Sequence, residues 1–446
     1  MSKLMISDAG IRGIVGETLL AEEFLRYTLA YAATRKAGRV VVGGDTRISR
    51  HMLRHLVFGA LESSGLEVID LGVCPTPTVG LMVREMEAAG GIAITASHNP
   101  SQWNALKFFT ANGTFLTPPE FKRVMAAFEQ NKFKRAPYDK LGRVLQHPDP
   151  IGPHLKRIED VIDMRAIRKR RLKVVIDCCN GAANAIMPRL AKMMQVEPEF
   201  IYTDTSIPFE RAAEPLPENI GSLCRAVQAL GSDVGFAIDP DADRLALVDE
   251  TGRAIGEERT LTIAANHYLA RAKTPLVANL STTRALDDVA ARHGVKIHRT
   301  PIGEAHVVDK MMKVKSAIGG EGNGGVIFPA VHPGRDAATG VALICEALAQ
   351  SKKSLSQLNA DIPDYIIVKS KIPLGNHAVD KMLPRIEKAM PKPVERSTAD
   401  GLKLIYGNGW VHIRPSGTEP IIRIFAEAPS EAIAQEWIEQ LHKAAK

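Results

Sequence analysis

The feature of this sequence that most constrains its fold is the alternation of short β-branched runs with longer segments of helix-forming residues. Each run ends at small or polar residues, as a strand does where it enters a turn. Strands that alternate with helices form parallel α/β units, whereas a sandwich would show strand following strand. We therefore predict an α/β fold with strands at residues 39–42, 67–71, 91–95, 173–177, 234–238, 245–248 and 276–278.

Changes of pattern divide the chain into four predicted domains. A segment rich in proline and charge, residues 136–153, separates the first α/β block from the second, and a turn at residues 249–252 ends the second. From Tyr365 the pattern becomes strand, helix and a strand pair around residues 410–413 and 421–425, which indicates a smaller α+β domain. We expect domains at residues 1–148, 149–251, 252–361 and 362–446, in line with ~100–200 residues per domain.

The composition excludes several classes of protein. Hydrophobic residues make up 45% of the 446 and charged residues 24%, which is typical of a globular chain and not of a disordered, collagen-like or coiled-coil one. The first residues carry charges before any long apolar run, and no later run approaches the ~18 apolar residues of a membrane span. We expect a cytoplasmic protein with no membrane partner. The 5 cysteines lack zinc-ligand spacing and are too few for a disulfide framework, so Cys178 and Cys179 are interpreted as buried strand residues.

The formal charge of +7 and the pI of about 9.1 are compatible with nucleic-acid binding and with a small phosphorylated substrate. Only residues 168–171 form a dense basic run, which we interpret as a solvated turn. Aromatic residues, at 5%, leave little material for stacking on bases. We therefore expect no nucleic-acid partner and keep a basic nucleic-acid-binding protein only as the non-enzymatic alternative.

The segment from Asp239 to Arg244 reads Asp-Pro-Asp-Ala-Asp-Arg and directly follows an apolar strand. Three carboxylates at alternate positions of a short loop can converge on one hard divalent cation, for which magnesium is the natural candidate. A calcium-binding EF-hand is the obvious competitor, but its sixth position requires glycine and here holds Arg244. An ordinary acidic turn would leave three aspartates with one arginine to neutralise them.

Ser97 lies in Thr-Ala-Ser-His-Asn-Pro, which also follows a predicted strand. The flanking glycines of a hydrolase nucleophile elbow are absent, and a helix cap is the simplest structural alternative. A serine that carries phosphate would need a metal site beside it and a cation to polarise the transfer. Lys107, on the apolar run 105–109, is placed to provide that charge.

Two further loops have the composition of ligand-binding segments. Residues 414–420 combine Arg414, two hydroxyl groups and a glycine that permits an anion-binding backbone, and Arg423 follows on the next strand. These features favour phosphate binding over a purely structural turn. Residues 319–325 are glycine-rich with one carboxylate and one amide, which suit sugar hydroxyls, although this signal is weak by itself.

Together these four loops resemble those of the α-D-phosphohexomutase superfamily, and they follow the family's order along the whole chain. The segment around Ser97 resembles its phosphoserine loop, residues 239–244 its metal loop, residues 321–325 its sugar loop and residues 414–423 its phosphate loop. Residues 10–13 and 44–47 are similar to further family motifs. The match looks closest to phosphoglucosamine mutases and to the related phosphomannomutase/phosphoglucomutase sequences.

The resemblance implies three similar α/β domains with mixed sheets and a smaller C-terminal α+β domain around a central cleft. It implies that phosphorylated Ser97 donates its phosphoryl group to a hexose phosphate, which gives a hexose 1,6-bisphosphate that returns its other phosphate. One Mg²⁺ would be held by Ser97, Asp239, Asp241 and Asp243. The residues expected to be catalytic are Ser97, Arg12, His98, Lys107 and Arg244, and those expected to bind substrate are Thr300, Gly303, Glu321, Asn323, Arg414, Ser416, Gly417, Thr418 and Arg423.

One position departs from the family pattern. The bacterial sugar loop usually ends in histidine, where this chain has Gly325, and His98, His306 or His332 could take over its role. Residues 300–305 look more like the glucosamine branch, so the expected reaction is interconversion of glucosamine 6-phosphate and glucosamine 1-phosphate. Mannose or glucose phosphates are the alternative substrates, net phosphate release through the same serine is the alternative chemistry, and the expected assembly is a monomer or a homodimer.

Overall fold

The computed structural model describes residues 4–7, 10–373, 379–415 and 421–445. The chain divides into two compact units, of which the first comprises residues Met1–Ala264 and Asn323–Asn359. The second comprises residues Ala265–Gly322 and Ala360–Lys446. Among the described helices, none combines the length and the hydropathy that a bilayer crossing requires.

A mixed sheet that has seven strands in the described residues opens the first unit. The elements are β1 (Met5–Ser7), β2 (Gly10–Ile14), α1 (Ala21–Ala33), β3 (Arg39–Gly44), α2 (Arg50–Ser63), β4 (Glu67–Val73), α3 (Thr76–Glu85), β5 (Gly90–Ile94), β6 (Trp103–Phe109), α4 (Pro118–Glu129) and β7 (Val144–Gln146). The strand order is β1-β2-β6-β5-β3-β4-β7, in which β5, β3, β4 and β7 are parallel and β1, β2 and β6 pair antiparallel.

The core of this sheet forms from β-branched strand residues and apolar helix faces. Val40 and Val42 of β3 and Ile92 of β5 are buried together with Phe24 of α1. The strands predicted near residues 39–42, 67–71 and 91–95 are confirmed. Part of the predicted linker at 136–153 is instead the edge strand β7, because its backbone pairs with β4, and local composition does not reveal such a partner.

The next part of the first unit carries a four-stranded mixed sheet, counted over the described residues. Its elements are α5 (Ile151–Val161), α6 (Met164–Arg170), β8 (Lys173–Asp177), α7 (Ala183–Met194), β9 (Glu197–Ile201), α8 (Gly221–Leu230), β10 (Val234–Ile238) and β11 (Leu245–Asp249). The order is β11-β10-β8-β9, with β8 parallel to β9 and β10, and β11 antiparallel to β10. The predicted strands at 173–177, 234–238 and 245–248 are confirmed.

Two interpretations in this region were wrong in detail. The basic residues 168–170 are the last turn of α6, where cations interact favourably with the carbonyl end of the helix, and only Arg171 lies beyond it, in a left-handed C-cap. Cys178 and Cys179 are buried as expected, but they follow β8 and do not belong to it. The five cysteines are free thiols.

The following elements are α9 (Glu258–Arg271), β12 (Leu276–Asn279), α10 (Ala285–His293), β13 (Ile297–Thr300), α11 (Glu304–Val314), β14 (Ile318–Glu321), β15 (Gly325–Phe328), β16 (His332–Arg335), α12 (Ala337–Ser351) and α13 (Leu355–Ala360). In the second unit, β12 lies parallel to both β13 and β14, which confirms the strand predicted at 276–278. In the first unit, β15 and β16 form an antiparallel pair, and α12 is buried along most of its length.

The second unit ends in an antiparallel sheet covered by helices. Its elements are β17 (Ile366–Pro373), α14 (Val379–Ala389), β18 (Glu395–Ser397), β19 (Leu402–Tyr406), β20 (Gly409–Pro415), β21 (Ile421–Ala428) and α15 (Glu431–Ala445). The order is β17-β21-β20-β19-β18. The predicted strand, helix and strand pair are confirmed, because β20 and β21 are antiparallel neighbours, and the short strands β18 and β19 are additional.

Candidate active site

Ser97 follows β5 and is almost fully buried. Its φ of 49° lies in the left-handed region, which is unfavourable for a residue with a side chain. The surrounding contacts hold it there: the Ser97 amide donates to Thr95 Oγ1 at 3.0 Å, and Arg47 Nη2 donates to the Ser97 carbonyl at 2.8 Å. Arg47 is itself buried against Asp45, which also accepts from Thr95 Oγ1 at 2.6 Å. The chain therefore fixes the position of this hydroxyl.

The hydroxyl of Ser97 faces the carboxylate loop. Ser97 Oγ donates to Asp239 Oδ2 at 3.0 Å, and His98 Nδ1 lies 3.4 Å from the same hydroxyl. Burial, followed by the charges of Arg244 and Arg12, lowers the pKa of His98 well below its usual value. His98 is therefore a neutral imidazole near neutral pH, and its ring nitrogen can take part in a hydrogen bond with the Ser97 hydroxyl.

Asp239, Asp241 and Asp243 follow β10 and are buried together, with one carboxylate oxygen of each within 4.8 Å of the others. Asp239 Oδ1 accepts the amides of Asp243 and Arg244 at 3.0 Å each, which closes the loop on itself. Ala242 turns the backbone with a φ of 56°. The strand end and these hydrogen bonds direct the three carboxylates to one point.

In Asp241 and in Asp243, one carboxylate oxygen contacts buried cations, and that of Asp241 also accepts a hydrogen bond from a hydroxyl group. Lys107 Nζ lies 2.6 Å from Asp241 Oδ2 and 3.4 Å from Asp243 Oδ2. Thr76 Oγ1 donates to Asp241 Oδ2 at 2.6 Å, and Arg335 Nη2 donates to Asp243 Oδ2 at 2.7 Å. Among the described residues, Oδ1 of Asp241 and Oδ1 of Asp243 are buried without a hydrogen-bond partner. Two unsatisfied carboxylate oxygens beside a third carboxylate are the ligand set that Mg²⁺ prefers, so the residues present fit a divalent cation.

The charges of this cluster shift its pKa values in opposite directions. Burial and then the charges of Asp243 and Asp241 raise the pKa of Asp239 well above its usual value. Burial also opposes ionisation of Asp243, but Arg335 and Lys107 outweigh it and hold its pKa below the usual range. For Lys107, burial is outweighed by Asp241 and Asp243, which raise its pKa and keep it charged. A divalent cation in the loop would favour the ionised form of Asp239 as well.

Arg12 and Arg244 also lie in this part of the first unit. Arg12, on β2, donates to Asn99 Oδ1 at 3.3 Å. Arg244 Nη1 donates to Glu214 Oε1 at 2.7 Å, and its Nε lies 3.9 Å from Asp243 Oδ1. The structure therefore groups these residues with the serine and metal loops.

The glycine-rich loop divides between the two units. Glu321, in the second unit, is buried, and its Oε1 accepts from Asn279 Nδ2 at 2.8 Å and from the Gly303 amide at 3.1 Å. Thr300 Oγ1 donates to the Pro301 carbonyl at 2.9 Å. Asn323 belongs to the first unit, and its side-chain oxygen is buried with no hydrogen-bond partner in the part of the chain that the structure describes.

The described flanks of the phosphate loop also belong to the second unit. Arg414 on β20 and Arg423 on β21 are directly opposite each other in the strand register. Asp400 accepts from Arg414 Nε at 3.0 Å through Oδ1 and from the Ile302 amide at 3.0 Å through Oδ2. Asp400 thus joins the loop before Gly303 to the phosphate-loop arginine. Ser416, Gly417 and Thr418 lie outside the described residues.

Of the three histidines considered for the role of the missing sugar-loop histidine, His98 is the one that contacts Ser97. His332 is buried and packs against Gly80, where a Cβ would lie 2.8 Å from its Nε2. Burial lowers the pKa of His332 to about 3. His306 belongs to the second unit.

Several residues of the site were not predicted. Arg335, Thr76 and Glu214 lie outside the recognised loops in sequence and reach the metal loop only through the tertiary fold. Arg47 lies in a motif that the sequence analysis recognised, but its function of holding the Ser97 loop was not predicted. For Arg335 one local signal exists, since it ends a short strand directly before Asp336, the N-cap of α12.

Comparison with known proteins identifies the family. Four domain models of phosphoglucomutase/phosphomannomutase match in order: domain I at residues 3–135, domain II at 153–252, domain III at 257–365 and the C-terminal domain at 368–444. A protein of Thermococcus kodakarensis named phosphoglucomutase/phosphomannomutase is 38% identical and covers 96% of each chain. A probable phosphoglucosamine mutase of Pyrococcus abyssi is 35% identical and covers 98% of this chain and 97% of its own.

Solved structures agree with this assignment. A phosphoglucomutase/phosphomannomutase family protein from Burkholderia thailandensis superposes with a TM-score of 0.85 at 25% identity, over 99% of this chain and 97% of the other. A structure titled as a putative phosphomannomutase from Thermus thermophilus gives the same TM-score and identity, with 99% and 98% covered. The fold class predicted from the sequence, α/β domains with mixed sheets and a C-terminal domain, is thereby confirmed. The chain belongs to the phosphoglucomutase/phosphomannomutase family of the α-D-phosphohexomutase superfamily and is an intramolecular phosphotransferase of the isomerase class.

Proposed function

We propose that this enzyme interconverts glucosamine 6-phosphate and glucosamine 1-phosphate through a phosphoserine at Ser97 and a glucosamine 1,6-bisphosphate intermediate. The observation that carries the proposal is the contact between Ser97 Oγ and Asp239 Oδ2, beside two carboxylate oxygens that have no hydrogen-bond partner among the described residues. A buried serine in a strained backbone conformation next to a divalent-cation site is suited to carry a phosphoryl group, since the nucleophile and its counter-charges need no rearrangement.

In this proposal the chain's own groups position and neutralise the reacting phosphate. A divalent cation held by Asp239, Asp241 and Asp243, with Ser97 as a further ligand, would supply positive charge at the phosphoryl oxygens. Arg12 and Arg244 add fixed positive charge near the serine. We assign uptake of the proton of the attacking sugar hydroxyl to His98 because its Nδ1 lies 3.4 Å from Ser97 Oγ, whereas Lys107 is held charged by its two aspartates and stabilises anionic groups instead.

We assign substrate recognition to residues of the second unit and to Asn323. Glu321 and the Gly303 amide offer groups for sugar hydroxyls beside Thr300, and Arg414 and Arg423 offer charge-assisted bonds to the phosphate that is not reacting. Ser416, Gly417 and Thr418 complete the proposed phosphate loop. We also propose domain borders at residues 148, 251 and 361, a cytoplasmic location and a monomeric or homodimeric state.

The choice of glucosamine rests on relatives. Archaeal proteins named probable phosphoglucosamine mutase match over nearly the whole chain, among them those of Pyrococcus abyssi and Pyrococcus horikoshii, at 35% and 33% identity. The relative at 38% identity is named phosphoglucomutase/phosphomannomutase, so mutase activity on mannose or glucose phosphates is the second candidate.

A coupled assay on the 1-phosphates of glucosamine, mannose and glucose tests the proposal. We expect the highest kcat/KM for glucosamine 1-phosphate, dependence on Mg²⁺ and stimulation by the matching 1,6-bisphosphate. Release of inorganic phosphate in step with substrate loss would instead indicate a phosphatase. A preference for mannose or glucose phosphate would select the second candidate.

A further inference from the structure

Gly325 and Arg335 share one space at the end of the β15–β16 pair in the first unit. A Cβ built at Gly325 would lie 2.8 Å from Cγ of Arg335 and closer still to its Cδ. Such a distance is too short for two carbon atoms, and the obstacle is the middle of the arginine side chain. The absence of a side chain at residue 325 therefore allows Arg335 to take its observed path.

That path ends at the metal loop. Arg335 Nη2 lies 2.7 Å from Asp243 Oδ2, and the exposed fractions of the two side chains are 10% and 1%. Charge pairs that are shielded from water in this way interact more strongly than pairs on the surface. Arg335 is thus a fixed counter-charge of one metal-loop carboxylate.

The other charges around Asp243 are arranged differently. Lys107 lies nearer to Asp241, at 2.6 Å, than to Asp243, at 3.4 Å. Arg244 makes its short contact with Glu214, at 2.7 Å, and its Nε is 3.9 Å from Asp243 Oδ1. Within the described residues, Arg335 therefore provides the closest ion pair to Asp243 and leaves Oδ1 of that carboxylate without a hydrogen-bond partner.

We propose that Arg335 is a positioning residue that neutralises Asp243 at Oδ2, so that the loop binds its divalent cation moderately and still accepts a phosphorylated, anionic substrate. The proposal rests on the function proposed above. Its physical basis is that Arg335 repels a second cation at the loop and attracts phosphoryl oxygens, while it holds the carboxylate by Oδ2 and makes no hydrogen bond to Oδ1.

This role predicts a direction of change in cation affinity that differs from the direction expected if Arg335 only supports the structure. If Arg335 only held the loop in shape, its loss would weaken cation binding, because the ligands would no longer be aligned. If it balances charge, its loss leaves Asp243 with a more distant counter-charge, so cation binding becomes tighter while binding of sugar phosphate becomes weaker. The affinity for the cation should therefore rise while the affinity for sugar phosphate falls.

The test is a Mn²⁺ titration of the full-length protein, in which free Mn²⁺ is followed by its EPR signal. Wild type is compared with Arg335→Met, Arg335→Lys and Gly325→Ala, all matched for phosphate content by intact mass. For Arg335→Met we expect a Kd for Mn²⁺ about tenfold lower and a Kd for sugar phosphate, measured by calorimetry, about tenfold higher, as expected for loss of one nearby buried charge. Gly325→Ala should shift both values in the same directions, because it displaces Arg335 without removing it.

Two comparisons separate the possible outcomes. Arg123→Met removes one exposed arginine of α4 and should leave Mn²⁺ binding unchanged, whereas Arg335→Lys should restore most of the wild-type Kd. Weaker Mn²⁺ binding in a folded Arg335→Met protein, or an unchanged Kd, would overturn the proposal. If Arg335→Met does not fold, the Kd values of Gly325→Ala and Arg335→Lys for Mn²⁺ test the proposal instead. Because the titration needs no turnover, a wild type without mutase activity would contradict the proposed function and leave this test intact.

Discussion

At the scale of single residues, the conformation of Ser97 is the most informative feature of the site. A non-glycine residue at positive φ costs about 1–3 kcal/mol, so neighbouring groups must hold it there. Arg47 and Thr95 do so through the carbonyl and the amide of Ser97. The hydroxyl is thereby kept beside Asp239 before any substrate binds.

Ser97→Ala should lose nearly all mutase turnover and keep the wild-type fold, because the hydroxyl is the proposed phosphoryl carrier and contributes little to packing. Intact mass of fresh wild-type protein should show a phosphate adduct that the variant lacks. Unchanged far-UV circular dichroism serves as the control. Mutase activity near the wild-type level would show that another group carries the phosphate.

Asp241→Asn should weaken binding of Mg²⁺ or Mn²⁺ and lower turnover together. Asp241 contributes one of the two unsatisfied carboxylate oxygens, and the amide supplies a poorer ligand with no charge. Mn²⁺ titration and the Mg²⁺ dependence of kcat provide the measurement. Asp160→Asn, which removes an exposed carboxylate of α5, is the matched control. An unchanged Mg²⁺ dependence in Asp241→Asn would place the cation elsewhere.

At the scale of elements, strand ends decide where the chemistry lies. Ser97 follows β5 and Asp239 follows β10, and in α/β sheets ligand-binding groups collect beyond the carboxyl ends of parallel strands. In the second unit the antiparallel strands β20 and β21, which flank the predicted phosphate loop, place Arg414 and Arg423 opposite each other.

Arg414→Ala and Arg423→Ala should each impair substrate capture more than chemistry, because the strand pair is proposed to hold the phosphate that does not react. A charge-assisted hydrogen bond contributes ~1.5–3 kcal/mol, so we expect KM to rise roughly ten- to a hundredfold, with a smaller fall in kcat. Steady-state kinetics with the 1-phosphate and with the 6-phosphate measure this effect. Ser97 should still become phosphorylated. Wild-type affinity for both substrates combined with loss of phosphoserine would assign the arginines to the chemical step instead.

At the scale of the whole molecule, each unit contains a buried histidine whose proton affinity links folding to pH. Burial lowers the pKa of His332, in the first unit, to about 3, and that of His412, in the second, to about 4. Both are neutral in the folded protein, whereas an unfolded chain protonates them below its pKa of ~6.5. The unfolded chain therefore binds more protons at these two histidines than the folded protein does. The free energy of unfolding consequently falls as the pH decreases from ~6.5 toward the pKa values of the folded protein.

We expect the free energy of unfolding to fall between pH 6.5 and pH 4, by up to ~1.4 kcal/mol per pH unit for each histidine well below pH 6.5. Urea unfolding between pH 7.5 and pH 4.5 measures the slope. His332→Gln should reduce the slope for the first unit, and His412→Gln that for the second, whatever their effect on stability at pH 7.5. The exposed His51→Gln is the control. If the dependence of the free energy of unfolding on pH is unchanged in both His332→Gln and His412→Gln, other groups cause the acid sensitivity.

The sequence by itself determined the fold class, several strands of each sheet, and the loops around Ser97 and Asp239. These features depend on local patterns: β-branched runs define strands, and carboxylates or hydroxyls directly after a strand define a ligand loop. The same local reasoning failed where pairing is non-local. Residues 144–146 became a strand because β4 offered a free edge, and the basic residues 168–170 became the end of a helix.

Only the tertiary structure decided which distant side chains complete the site. Thr76 lies 165 positions from Asp241, Arg335 92 from Asp243 and Arg47 50 from Ser97, and each meets its partner through buried contacts. No local pattern encodes such pairs, because the chain between them can be rearranged without changing the residues at either end. The space over Gly325 is the clearest case: the sequence shows a glycine where the family usually has a histidine, and the fold fills the space with Arg335. Packing against the side chain of Arg335 on the neighbouring strand β16, which the glycine at residue 325 does not itself reveal, determined that outcome.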